Sequence, residues 1–248
     1  MSLASFQIRY VLGAIAVLPF VPFLYLQSRY VRRSVGRLPD AAGEITGKHG
    51  SHNEFINLLA IGESTVAGVG AQNHAEALTG QFAKYLSLAT GKTVCWHALG
   101  ESGITIKNAL TKLVADLPEQ QLDVILIALG GNDVFGLSSP RKWRKEMTKM
   151  LEILQRKYPN AEILLANVPM VRDFRAMPNP LRYVLSRLAK LQHFNSREFI
   201  APLEKIAYFD AVKAVDDDFF SDGIHPSAIG YDLWARDMVE FMSKVRES

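Results

Sequence analysis

Ser64 follows Gly62 and Glu63 at the end of the apolar run Phe55–Ile61. A serine where a strand turns into a helix can present its hydroxyl as a nucleophile, with helix-terminal amides aimed at a developing anion. The same placement also suits a serine that caps a helix. Asp222-Gly223-Ile224-His225 follows the last apolar run. A carboxylate three residues before an imidazole can orient the ring and stabilise its protonated form, which is what a general base requires. Taken alone, the pattern reads equally as a turn before a helix opened by His225-Pro226. Asn132 follows a double glycine after Val124–Leu129, where its side-chain amide can donate to an oxyanion beside the backbone N–H groups of Ser64 and Gly100. The competing reading is an Asx turn with Asp133. Together these residues supply a nucleophile, a base with its orienting acid, and anion donors, in chain order and after different apolar runs. Turn chemistry alone produces that conjunction far less readily than any one of its parts.

A second Gly-Glu-Ser ends at Ser102, and neither copy has the G-x-S-x-G pattern, because Val66 and Ile104 stand where its second glycine falls. His52, His74, His97 and His193 lack a carboxylate three residues earlier in a glycine-containing loop, which singles out His225.

These residues need a frame that brings strand ends together. Five apolar runs have strand character: Phe55–Ile61, Thr93–Leu99, Val124–Leu129, Glu162–Asn167 and Ile206–Asp210. Helical patterns near 75–90, 104–116, 140–157, 181–201 and 226–245 alternate with them, predicting an α/β domain with a mainly parallel five-stranded sheet. Runs such as VILIAL, apolar at every position, suit strands covered on both faces. In such sheets ligands bind beyond the carboxyl ends of the strands, where Ser64, Gly100, Asn132 and the His225 loop all fall.

On the blocks Gly62-Glu63-Ser64, Gly100, Gly130-Gly131-Asn132-Asp133 and Asp222-Gly223-Ile224-His225, residues 55–245 resemble the SGNH (GDSL-type) hydrolase superfamily of esterases, lipases and thioesterases. The resemblance implies a flavodoxin-like three-layer α/β/α sandwich and ester hydrolysis through an acyl-enzyme. It implies Ser64, Asp222 and His225 as the catalytic triad, and Ser64, Gly100 and Asn132 as the oxyanion hole. Neither a metal nor an organic cofactor is implied. Glu63 departs from the family's aspartate, adding a methylene to the nucleophile turn.

Charge divides the chain unevenly. Residues 1–50 hold six basic residues against two acidic ones, whereas residues 51–248 hold 22 against 23. A near-neutral body offers no field for tracking phosphates, which argues against nucleic-acid binding. The single Cys95 excludes an internal disulfide and any zinc site needing two thiolates. Tyr10–Ser28 is uncharged and, as a helix, would extend roughly 28 Å, close to the hydrocarbon thickness of a bilayer. Residues 1–33 are therefore expected to form a membrane anchor, with a cleaved signal peptide as the rival reading. Pro19 and Pro22 could bend the segment or lay it in the interface. Residues 34–53 read as a linker and 54–248 as the hydrolase domain. Arg29, Arg32, Arg33 and Arg37 after the apolar run, against Arg9 before it, favour a cytoplasmic body, with a periplasmic or extracellular one left open.

Met170–Arg197 is basic, with leucines at helical spacing, and reads either as a lid meeting lipid headgroups or as a sheet-covering helix with a solvated face. The functional expectation is a serine esterase acting on a small-molecule or lipid ester. Alternatives are a carbohydrate O-acetylesterase and a catalytically silent module that binds a lipid or glycan.

Overall fold

The computed structural model describes residues 2–36, 38–211 and 215–247. The chain opens with an apolar helical segment, α1 (Leu3–Val17) and α2 (Val21–Ser34), divided by a 3-10 turn at Leu18–Phe20. Pro19 and Pro22 lie at the division, where each withdraws an amide donor and crowds the preceding turn. Among the described residues, Leu3–Ser34 is the one helical stretch long and apolar enough to cross a membrane.

The sheet has six strands: β1 (Thr46–His49), β2 (Phe55–Gly62), β3 (Thr93–Gly100), β4 (Val124–Ala128), β5 (Glu162–Leu165) and β6 (Ile206–Tyr208). Their order is β1-β3-β2-β4-β5-β6, with β1 antiparallel to β3 and every other pair parallel. All five expected strands are present. The sixth, β1, corrects both the strand count and the linker expected over 34–53. Its sequence, Thr-Gly-Lys-His, carries no apolar alternation, as befits a short edge strand half open to water. Residues 41–42 are tied down too, since the Ala41 amide donates to Ala67 O and Ala42 bridges Asn73.

The intervening helices are α3 (Leu78–Thr90), α4 (Ile106–Ala109), α5 (Gly131–Phe135), α6 (Pro140–Lys157), α7 (Leu181–Ile200) and α8 (Ala228–Glu247). The helix expected over 104–116 is only the single turn α4 followed by a 3-10 turn at Leu113–Asp116. Along β2, Leu58 and Ala60 face one apolar cluster with Phe82, Tyr231 and Met238 from α3 and α8; Leu59 and Ile61 face another with Trp143, Met147 and Leu185 from α6 and α7. Burial on both faces explains why these strands are apolar at every position. Leu181, Leu185 and Leu188 are buried, so α7 is the sheet-covering helix of the two readings given for that basic stretch.

Among the parallel strands, chain order reverses between β2 and β4. The crevice beyond their carboxyl ends is the topological switch point where open α/β sheets bind ligands.

Candidate functional site

Ser64 leaves the end of β2, half-buried, but no α-helix begins there. The chain makes successive turns through Gly70, with the amides of Val66 and Ala67 donating to Glu63 O, and α3 starts only at Leu78. This corrects the expected helix terminus at Ser64. It also removes the capping alternative: Ser64 Oγ makes no hydrogen bond among the described residues. Ser102 lies elsewhere, half-buried, with its hydroxyl donating to Asp40 Oδ1 at 2.5 Å.

Two glycines let backbone approach this turn. A Cβ on Gly100 would fall 2.5 Å from Ala67 N, so the end of β3 can press against the Ser64 turn only as glycine. Gly70, at φ +97°, has the Pro226 carbonyl where a Cβ would stand, which packs the loop after Ser64 directly on the His225 loop. Tyr231 from α8 adds a hydrogen bond to Val69 O at 2.7 Å.

Asp222 and His225 form the expected pair. Asp222 Oδ2 lies 2.7 Å from His225 Nδ1, while Oδ1 accepts the amides of Ile224 at 2.9 Å and His225 at 2.8 Å. Both carboxylate oxygens are thus occupied, which fixes the imidazole's orientation and leaves Nε2 available to a proton donor. Burial pushes the Asp222 pKa up, but the hydrogen bonds from the His225 ring and amide, the imidazole's charge and the Ile224 amide outweigh it, leaving the value lowered. Ser64 and His225 line the same cleft without a hydrogen bond between them. Catalytic contacts of this kind are often long before substrate binds and tighten afterwards.

Glu63, for which the sequence offered only an extra methylene, is the hub of the site. Fully buried, it accepts the amides of Gly131 and Asn132, each at 2.9 Å, and Asn132 Nδ2 at 2.6 Å. The added carbon lets the carboxylate cross from β2 to the start of α5. Asn132 Nδ2 also donates to Ile104 O at 3.1 Å, so both its hydrogens are committed to protein acceptors. Asn132 lines the cleft, but to serve an oxyanion it must share or release one of them. Gly100 is not among the cleft-lining residues. Asp133 makes no Asx turn with Asn132. Buried, it accepts the Ile106 amide at 2.9 Å and the Ser138 hydroxyl at 3.2 Å, fixing α4 against α5.

Burial drives the Glu63 pKa up to about 7, against the three N–H donors that hold it down and with Asp133 adding to the rise. For an acid with a raised folded pKa, the associated stability is fully present below its ordinary value of 4.5 and is lost as pH climbs towards 7. Asp222 acts oppositely, its contribution being lost as pH falls through its lowered value. Urea melts across pH 4.5–7 are therefore expected to show the stability of the wild type falling with pH relative to that of Glu63→Gln. Parallel profiles would mean that Glu63 does not titrate in this window.

The cleft holds about 300 Å3. Ser64, Asn132 and His225 line it, and so does an aromatic wall. Phe135 and Phe174 stand 6.3 Å apart between ring centres, Phe174 and Phe220 5.7 Å edge-to-face, and Phe219 and Phe220 5.0 Å. Sequence reading missed this wall. Its members come from α5, the 169–180 loop and the segment before Asp222, and no local pattern joins them. Trp234 closes another side, its indole N–H donating to Asn167 Oδ1 at 3.0 Å. No group of three or more His, Cys, Asp or Glu suited to a metal ion occurs among the described residues.

Solved structures share this fold. A lipase from a goat rumen metagenome aligns with TM-score 0.62 at 17% identity, over 75% of this chain and 96% of its own. A carbohydrate esterase of family 3 from Clostridium thermocellum aligns with TM-score 0.58 at 16% identity, over 77% and 97%. The psychrotrophic esterase EstA from Pseudoalteromonas sp. aligns with TM-score 0.56 at 21% identity, over 77% and 99%. No curated protein matches the chain in sequence. The model of the GDSL-like lipase/acylhydrolase family matches residues 60–233, a span reaching from the middle of β2, through all four motif blocks, into α8. The chain belongs to the GDSL-like lipase/acylhydrolase family.

Proposed function

We propose that this ester-hydrolysing enzyme cuts esters of apolar acyl groups through a Ser64–His225–Asp222 triad, and that its N-terminal segment associates it with a membrane. The observation that carries the reading is a single cleft lined by Ser64, by an Asp222-oriented His225 and by phenylalanines. Ser64 Oγ attacks the ester carbonyl as His225 Nε2 takes its proton, and Asp222 stabilises the resulting imidazolium. The oxyanion is met by the Ser64 amide and by Asn132 Nδ2, once that nitrogen turns from Glu63 or Ile104; Gly100, expected in the same role, is not among the cleft-lining residues. His225 then protonates the departing alcohol. Water, activated by the same imidazole, hydrolyses the acyl-enzyme and restores Ser64. The apolar wall favours an acyl chain over the acetyl group of an acetylated sugar. The anionic cytoplasmic leaflet attracts basic residues, so the arginines after the apolar segment support a cytoplasmic body.

The test is a series of p-nitrophenyl esters from acetyl to decanoyl beside acetylated sugars, read as kcat/KM. Higher values for the longer acyl chains support the reading; a preference for the acetylated sugars overturns it. In the same assay, Phe220→Ala should reduce the preference for octanoyl over acetyl roughly tenfold, because full burial of a phenylalanine face is worth about 1.5–3 kcal/mol. An unchanged ratio would remove Phe220 from the acyl wall.

A further inference from the structure

We propose that the N-terminal segment does not cross the bilayer but lies flat on an anionic lipid surface, docked along its whole length on the catalytic domain, with the acyl cleft at its border. This rests on the membrane association proposed above and specifies its form.

One stripe of the segment faces the domain. Phe6, Leu24 and Val31 are buried, and Tyr10 and Val17 pack against the same apolar cluster as Trp143 and Leu185. After the first step these residues recur every seventh position, the spacing of a helix face held against neighbouring helices. The polar groups within the apolar stretch serve the domain as well. The Tyr10 hydroxyl donates to Leu137 O at 2.7 Å, Gln27 Nε2 donates to Asn179 O at 2.7 Å, and Gln27 Oε1 accepts the Leu181 amide at 3.0 Å.

Those contacts are incompatible with a spanning helix. Tyr10 and Gln27 are separated by roughly 25 Å of helix, nearly the thickness of the hydrocarbon layer. A spanning segment would put them at opposite membrane faces, yet one domain holds both. Placing that domain within the bilayer would bury the exposed Arg141, Lys142, Lys145 and Lys149 of α6 in hydrocarbon, where each charge costs several kcal/mol.

The opposite face remains apolar and open, with Ile8, Leu12, Ile15, Leu18, Phe23 and Leu26 each about half exposed or more. A continuous apolar surface of this length fits the acyl boundary of a bilayer, and the exposed Arg9, Arg29, Arg32 and Arg33 complement anionic headgroups. The docked stripe also reaches two segments that contribute to the aromatic wall: Leu137 lies two residues beyond Phe135, and Asn179 belongs to the loop that carries Phe174. Ester chains lying in the bilayer therefore adjoin the aromatic wall.

The test uses the full chain with Cys95→Ala, carrying either Ala4→Cys at the segment's start or Gln120→Cys on the body. Sealed vesicles from expressing cells, in both orientations, are treated with a membrane-impermeant maleimide. Labelling of both cysteines from the same side is expected; labelling from opposite sides would establish a spanning helix and overturn the proposal. Purified protein should float with vesicles of equal phosphatidylglycerol and phosphatidylcholine. Replacing Arg29, Arg32 and Arg33 together by Gln should weaken that binding roughly a hundredfold, while leaving the weaker binding to pure phosphatidylcholine unchanged. Failure to float, equal loss on both vesicles, or a mature chain lacking the segment would overturn it. None of these readouts depends on ester hydrolysis, so they stand apart from the triad's own test.

Discussion

Ser64→Ala is expected to lower the kcat for a short p-nitrophenyl ester by roughly 10⁵–10⁶-fold, and to abolish labelling by a fluorophosphonate. Losing the nucleophile removes the acyl-enzyme route altogether. What survives is whatever binding and oxyanion stabilisation offer to direct attack by water, about 10³–10⁴-fold over solution in serine hydrolases whose triads have been dismantled. The substitution should fold normally, because Ser64 Oγ has no hydrogen bond to lose among the described residues and the turn is held by backbone amides donating to Glu63 O and Ser64 O. Far-ultraviolet circular dichroism and the thermal midpoint should therefore match the wild type. Full activity in a well-folded variant would remove Ser64 from the mechanism. Ser102 makes a poor substitute, since its hydroxyl is committed to Asp40 outside the cleft. Wild-type protein that folds but takes no fluorophosphonate would favour the silent binding module instead.

Asp222→Asn should carry the second-largest loss, roughly 10⁴-fold in kcat. The amide keeps the size of the carboxylate but removes the charge that stabilises the imidazolium, and it can present an N–H to Nδ1, selecting the wrong tautomer. Oδ1 also accepts the Ile224 and His225 amides, so the asparagine must keep its carbonyl oxygen there, which turns its NH2 towards the ring. Loop geometry thus enforces the unfavourable arrangement. The loss should appear in kcat at every acyl length, whereas an effect confined to KM would assign Asp222 to substrate binding. Asp222→Ala would be less informative, because it also releases two backbone amides and disturbs the loop.

The parts of this site legible in sequence are those set by strand ends. Ser64, Asn132 and His225 each follow an apolar run, and a parallel sheet gathers its carboxyl ends at one edge whatever the loops between them. Glu63 was illegible as a hub because its three bonds depend on β2 lying beside β4, a lateral order that periodicity along the chain does not encode. The commitment of both Asn132 hydrogens follows from the same neighbour relation. The aromatic wall needed three separated loops to converge. Strand β1 was missed because Thr46–His49 borrows its burial from Trp96, whose indole occupies the space a Cβ would take on Gly47. In the N-terminal segment the apolar content was plain, but in the stripe of Phe6, Tyr10, Val17, Leu24 and Val31 the middle members sit among residues equally apolar on every side. Only the docked domain distinguishes them.

That docking also imposes an order of events during synthesis. Leu24 and Val31 complete a core that also draws Trp143, Met147 and Leu185 from α6 and α7, far later in the chain. At about 5–20 residues per second, the segment leaves the ribosome on the order of ten seconds before those helices exist. During that interval both of its faces are exposed and apolar. Whatever receives the nascent chain, whether lipid or a targeting factor, must hold the stripe that the domain will later claim and then yield it.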